Sequence, residues 1–343
     1  MISFDANASA PVLQEALDAY IAALDCADPA RALREAQDIV GSVFGVPADH
    51  VAFTSGGTES DAIVVAFALS QNASPSAVTS IFEHPAVMEN IQRLASTTHI
   101  WNDDLCRGGS RSALISICMA SSETGMVLPI ADIARMAKEQ CHDVIVHTDA
   151  VQAVGRMPVN IQDLGVDVLS LTGHKLGAVP GIGALVGPLV PRLRDAGVLP
   201  DPMENILGAV SLGVAMTHLP SHTQWDRWRM QQARLESLVR ELGGTVIGEN
   251  YSRLPQTTCA HFPGRAGEVL LQLMDLEGVA VSAGTACSSG SIEASSTLLA
   301  LGMSSEAALQ TIRMSLPRDL SDDDLNRGLD VLQRAVGRFT IRT

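Results

Sequence analysis

Ala113-Leu-Ile-Ser-Ile-Cys118, the helical pattern over Ile130–Gln140, and Val144-Ile-Val-His147 together form the stretch that decides the fold. The two outer runs are short and almost continuously apolar, which predicts strands buried on both faces instead of strands with one wet face. Helices between such strands argue for a mostly parallel sheet covered on both faces.

The same alternation continues on either side. Toward the C-terminus come strands at Val166–Leu171 and Ile182–Val186. Toward the N-terminus come a strand at Ala77–Ile81 with a helix Pro85–Ala95, and a strand Val51–Thr54 with a helix opened by Gly56-Gly57 and running through Leu69. Two amphipathic helices, Leu13–Leu24 and Ala30–Phe44, precede them. After the Pro/Gly-rich stretch Gly187–Pro202 the pattern changes. Helices at Met203–His218, Gln224–Leu242, Ala266–Leu276 and Asp322–Phe339 are interspersed with strands at Thr245–Ile247, Thr257–Phe262, Val279–Ser282 and Thr311–Ser315. The expected fold class is α/β, a large domain with a mostly parallel sheet covered by helices, followed by a smaller α+β domain. The expected boundary divides residues 1–204 from 205–343, with about the first 12 residues packing on the smaller domain. Functional groups are expected at the carboxyl ends of the parallel strands.

Composition limits the function classes. The 343 residues carry 38 acidic and 23 basic side chains, a formal net charge of -15, and 46% are hydrophobic. This is a globular composition. Its charge repels nucleic-acid phosphate and anionic membrane, so neither is an expected partner. The longest purely apolar run, Ala62 to Leu69, is far short of the roughly 20 residues that span a bilayer. Met1-Ile2-Ser3-Phe4-Asp5 has no export signal, and the expected location is the cytoplasm. Six cysteines (Cys26, Cys106, Cys118, Cys141, Cys259, Cys287) show no zinc-like spacing, so no metal is expected. Five read as small structural hydrophobes.

Several residues stand where chemistry needs them. Lys175 follows the strand Val168–Leu171 in Thr172-Gly173-His174-Lys175, and an amine at a buried strand end condenses with carbonyl groups, pyridoxal phosphate (PLP) being the commonest carbonyl cofactor. A surface lysine is the ordinary alternative. Asp149, ending His147-Thr148-Asp149, reads equally as a partner for a pyridinium nitrogen or as a helix cap. Gly56-Gly57-Thr58 between strand and helix reads as an anion-binding turn. His84, before Pro85, reads either as a ring-stacking imidazole or as a polar helix start. Cys287 lies in Ser282-Ala-Gly-Thr-Ala-Cys-Ser-Ser-Gly-Ser291, too small and polar a run to be core, and so reads as an accessible nucleophile. Arg313, inside the strand Thr311–Ser315, needs a carboxylate, from a substrate or from the protein.

In order and spacing these pieces resemble the class V (fold type I) PLP-dependent aminotransferase superfamily, specifically the cysteine desulfurases of the NifS/IscS type. The likeness runs from Phe4-Asp-Ala-Asn-Ala8 through Phe53–Ser60, Glu83-His84, His147–Gln152, Gly173-His-Lys175, Gly181–Leu185 and Ala286-Cys287 to Ile312–Ser315. It implies a seven-stranded type of sheet and a PLP cofactor. Lys175 would be the cofactor lysine, Asp149 would meet the ring nitrogen, and Gln152 and Ser122 would lie near the ring hydroxyl. His84 would stack on the ring, while Gly57, Thr58, Thr172 and His174 would hold the phosphate. Arg313 and Asn7 would bind the substrate, and Cys287 would carry its sulfur as a persulfide. L-cysteine would become L-alanine, with a sulfur-acceptor protein and a second copy of the chain as partners.

The chain departs from the family pattern at named places. Ser121-Ser122-Glu123-Thr124-Gly125 stands where the family has Asn-Asn-Glu-x-Gly, and Ala178-Val179-Pro180-Gly181 where it has Gly-Pro-Lys-Gly. Only Met203-Glu204-Asn205 remains of a glycine-rich stretch, and Asp28-Pro29-Ala30-Arg31 of another segment; both form part of the family's dimer-shared wall. Transamination or β-elimination on another amino acid, or a catalytically silent binding partner in sulfur delivery, are the alternative readings.

Overall fold

The structure is a computed structural model and describes residues 1–101, 112–283 and 293–338. The chain divides into two compact units, one of Ala10–Ala120 with Leu128–Leu219, the other of Met1–Ser9, Ser121–Val127 and the segment from Pro220 onward. The smaller unit therefore starts the chain, with β1 (Ile2–Ser3).

The larger unit runs α1 (Gln14–Ala22), α2 (Pro29–Phe44), β2 (Val51–Thr54), α3 (Gly57–Ser70), β3 (Ser76–Thr79), α4 (Pro85–Leu94), β4 (Thr97–Ile100), β5 (Leu114–Ser116), α5 (Ile130–Gln140), β6 (Ile145–Asp149), α6 (Ile161–Leu164), β7 (Val168–Thr172), β8 (Gly183–Val186), α7 (Val190–Asp195) and α8 (Ile206–Thr217). Its seven strands lie in the order β2-β8-β7-β6-β5-β3-β4. Only β8 opposes the others, pairing antiparallel with β2 and β7. This is the mostly parallel, helix-covered sheet expected.

The apolar strands are continuous because successive side chains enter two separate cores. Phe53, Val78, Ile115, Val146, Leu169 and Leu171 face α2, α5 and α8, through Val40, Phe44, Ile133 and Leu212. Ala52, Ala77, Leu114, Ile145, Val168 and Leu185 face α3, α4 and α7, through Val64, Val65, Ile91 and Leu193. Helix α3 is apolar nearly all round and buries eight residues, as a helix enclosed between a sheet and other helices must.

The expected boundary at residue 204 is displaced. Helix α8, placed by the sequence in the second domain, packs along α1 and α2 and buries Ala209, Leu212, Ala215 and Met216 in the first core. Its glycines and alanines permit that approach: a Cβ at Gly213 would come within 3.3 Å of Ala36. The division falls instead between Leu219 and Pro220.

The smaller unit continues with α9 (His222–Glu241), β9 (Thr245–Val246), β10 (Thr257–His261), α10 (Gly267–Leu276), β11 (Val279–Ala280), β12 (Ser282–Ala283), α11 (Ser296–Ala300), α12 (Ser305–Leu309), β13 (Thr311–Ser315) and α13 (Asp322–Gly337). An antiparallel sheet β12-β13-β10-β9 packs through Ala260, Ile312 and Met314 with α9, α10 and α13, and β1 pairs parallel with β11. The N-terminal segment is tied in by main-chain bonds from Phe4 N to Ala280 O, Ala6 N to Ser315 O and Ser315 N to Phe4 O. Phe4 is fully buried there.

Candidate active site

In the larger unit the polar groups collect at the ends of β2, β6 and β7 and at the start of two helices. The turn after β2 sets the first group. Thr54 Oγ1 donates to Gly56 O (3.1 Å) and lies 2.8 Å from Ser60 Oγ, while Glu59 accepts the Ser55 N–H at 2.6 Å. Helix α3 then starts at Gly57, with the Thr58 hydroxyl exposed at its positive end. Side chains are excluded here. A Cβ on Gly57 would meet Val151 at 2.9 Å, and one on Gly183 would lie 2.6 Å from the Gly56 backbone. Such a turn is a cradle for an anion.

Strand β7 delivers the second group. Thr172 Oγ1 lies 2.9 Å from His174 Nδ1, and a single helical turn, Gly173–Lys175, brings the lysine to the strand end, where it is half-buried. Burial and then the Lys175 charge pull the His174 imidazole below its ordinary value, so it is neutral at pH 7.

Strand β6 delivers the third. Asp149 is buried and accepts the Val151 N–H at 2.8 Å. Burial pushes its carboxyl up, against the Val151 hydrogen bond and the attraction of Lys175 and His84. Gln152 follows, its Oε1 accepting from Arg156 Nη1 at 2.5 Å and its main-chain carbonyl accepting from the same atom at 2.9 Å. The buried guanidinium thus fixes which end of the amide is oxygen. His84 caps α4, accepting the Ala86 N–H on Nδ1 at 3.1 Å, and burial lowers its pKa, with Asp149 opposing. Lys175 and Asp149 act electrostatically on one another and on His84, so these three groups form one site.

Two buried clusters beside this site were not singled out in the sequence. Ser170 donates to Asp61 at 2.5 Å, and its oxygen lies 3.3 Å from His147 Nε2; His147 Nδ1 lies 2.9 Å from the Ser116 hydroxyl. One chain of hydrogen bonds therefore joins α3 to β7, β6 and β5. Burial holds His147 down to about 3, and burial followed by Asp149 pushes Asp61 up. Nearby, Glu83 Oε1 accepts from Ser80 (2.5 Å) and Cys118 N (2.7 Å), while its Oε2 is buried without a hydrogen-bond partner. Burial raises Glu83 to about 8. The signal was present as polar residues inside otherwise apolar buried runs.

The smaller unit holds Arg313, Asn7 and Ser122. On β13, Arg313 donates through Nη2 to Asp5 (2.5 Å) and Ser282 Oγ (2.8 Å), and through Nη1 to Ser122 O (3.2 Å). Asn7 Nδ2 donates to Ser122 O and to Thr257 Oγ1, both at 3.0 Å. Asn7 is only 2% exposed. Asn7 is expected to contact substrate; in the structure its amide donates within the protein and helps to hold Ser122. Ser122 offers its main-chain carbonyl to both Asn7 and Arg313. Glu123 accepts from Ser295 at 2.5 Å and is raised by burial.

Among the other cysteines, Cys118 and Cys259 are buried, whereas Cys26 and Cys141 are half-buried, Cys141 packing against the larger unit's core. Cys287 and Cys106 lie outside the described residues. Among the described residues no cluster of three metal-ligating side chains occurs, and no helix is long and apolar enough to cross a membrane.

Comparison with known proteins accords with this arrangement. A family model described as aminotransferase class-V matches residues 26–102 and 106–192. The cysteine desulfurase of Gluconacetobacter diazotrophicus is 37% identical over 341 residues, spanning 90% of this chain and 82% of that protein. A solved structure of a NifS-like protein, 22% identical, shares the fold with a TM-score of 0.87 over 98% of this chain and 99% of that one. The structure of SspA in complex with cysteine is 26% identical, with a TM-score of 0.77 over 93% of this chain and 99% of that one. Proteins of these families are PLP-dependent. The chain belongs to the class-V aminotransferase family, in the company of the cysteine desulfurases.

Proposed function

We propose that the protein is a PLP-dependent cysteine desulfurase that converts L-cysteine to L-alanine and takes the sulfur onto Cys287 as a persulfide. The observation that carries this reading is the grouping of Lys175, Asp149 and His84 with the anion cradle at Gly57 and Thr58 in one unit. The donor set fits the cofactor: an amine for its aldehyde, a carboxylate for its ring nitrogen, and a helix start with hydroxyls for its phosphate.

When bound, PLP supplies an electron sink at the substrate Cα. The protein's own groups do the rest. Asp149 would pair with the ring nitrogen and keep it protonated. The neutral His84 accepts a main-chain N–H on Nδ1, so its ring is held in one orientation, and Nε2 is the nitrogen that carries the proton. Gln152, its oxygen engaged by Arg156, would lie at the ring hydroxyl. Lys175 would be the base that moves the substrate Cα proton. Arg313 holds the substrate carboxylate. The Cys287 thiolate attacks the substrate sulfur; the Cβ–S bond breaks, Cys287 keeps the sulfur as a persulfide, and the released carbon skeleton is alanine. The persulfide then passes to an acceptor protein, and the working form is a homodimer.

Purified protein incubated with PLP should be yellow, and Lys175→Ala should lose that colour; a colourless wild type would overturn the reading. Cys287→Ala should stop sulfide release from L-cysteine while the spectral response to added cysteine persists. Ser122 in place of the family's amide favours a second reaction, transamination or β-elimination, which would yield an oxo acid, or pyruvate with ammonia, in place of alanine and sulfide.

A further inference from the structure

We infer that Asp5 is an internal counter-ion that occupies the carboxylate-binding edge of Arg313 and must release it when a substrate carboxylate binds. The inference rests on the assignment of Arg313 to that carboxylate and deepens it.

A guanidinium has five N–H groups and two edges that match a carboxylate with parallel hydrogen bonds, Nε with Nη2 and Nη1 with Nη2. Both edges need Nη2. In Arg313 that nitrogen is fully used, by Asp5 at 2.5 Å and by Ser282 Oγ at 2.8 Å. Nη1 has one bond, to Ser122 O. Nε is buried and has no hydrogen-bond partner among the described residues. The side chains of Arg313 and Asp5 are 14% and 25% exposed, so the pair is largely withdrawn from water. A carboxylate that bonds Nε and Nη2 together therefore has to displace either Asp5 or Ser282. Displacing Asp5 satisfies the orphaned Nε and replaces one carboxylate on Nη2 with another, so charge is conserved at the guanidinium.

The consequence has a definite sign. If Asp5 only positioned Arg313, removing its charge would loosen the guanidinium and weaken carboxylate binding. If Asp5 competes, removing its charge strengthens binding. The N-terminal segment is held by main-chain hydrogen bonds to Ala280 and Ser315, so Asp5→Asn retains the fold by contacts that the substitution leaves intact.

The test uses the PLP-loaded protein and two ligands, propionate, a carboxylate without an amine, and L-alanine, measured by calorimetry and by the shift of cofactor absorbance. Wild type should bind propionate and Arg313→Gln should lose it; a wild type indifferent to propionate would overturn the carboxylate assignment and the counter-ion with it. With that established, D5N should bind both ligands about fivefold more tightly and show a correspondingly lower KM for L-cysteine, the scale of one partly exposed ion pair. Ser282→Ala, which frees the other Nη2 hydrogen without changing charge, should tighten binding less. Unchanged or weaker propionate binding in D5N would overturn the counter-ion role while leaving the assignment of Arg313 in place.

Discussion

Burial gives the His147 imidazole a pKa of about 3, far below its ordinary value of 6.5, because the charged ring would lose its water. Between those values the unfolded chain binds a proton that the folded chain does not. The stability contributed by the neutral ring is thus complete above pH 6.5 and is lost progressively as pH falls toward 3. His147→Gln removes the titration. From pH 6 to pH 4, denaturant titrations should show wild-type stability falling more steeply than that of the variant, by about 1.4 kcal/mol per pH unit; parallel slopes would show that His147 is protonated in the fold. At this scale the sequence was only partly legible. Lys175 and His84 announce themselves by standing at element junctions near glycine or proline, and Asp149 by ending an apolar strand. Asp61 and His147 lie inside buried elements, where one polar residue looks like any other, and their partners come from separate strands. Asp5 was part of a quoted motif, yet only its distance to Arg313, 308 positions away, reveals what it does.

At the scale of elements, what the sequence revealed follows from burial. Strands β2, β5, β6, β7 and β8 fill two cores at once and so appear as unbroken apolar runs. Strand β4 was missed because it is the outer strand next to β3, and its Thr97-Thr-His-Ile100 is mostly exposed. The short helices α7, α11 and α12 span too few turns for a helical period to register. One contact between elements bears directly on the site. The start of β8 presses on the turn before α3, and a Cβ at Gly183 would lie 2.6 Å from the Gly56 backbone and 2.7 Å from Leu171 O. Neither main-chain group can move aside without opening the cradle. Gly183→Ala should therefore cost about 3 kcal/mol and also weaken PLP binding. Two residues away, Gly181 has a φ of +88° and open space around it. Gly181→Ala should cost only the left-handed backbone penalty, about 1–2 kcal/mol, and leave cofactor affinity unchanged. Denaturant midpoints with cofactor titrations separate the two, and equal affinities would show that the cradle does not depend on this contact.

For the whole molecule, alternation of strand and helix was enough to place the α/β layer and its change of character near residue 200. It did not place the boundary, because α8 is apolar on most sides and the core it joins, formed with α1 and α2, is built from residues nearly two hundred positions earlier. A net charge of -15 opposes the approach of small anions, so an anionic ligand has to be held by local groups, the role proposed for the α3 start and Arg313. The account as a whole stands on the conversion of L-cysteine. Incubating the PLP-loaded protein with L-cysteine and a thiol reductant, and measuring alanine and sulfide together, should give the two products in equal amounts with wild type and neither with Lys175→Ala. Pyruvate and ammonia in place of alanine, or no turnover by a wild type that has bound the cofactor, would contradict it.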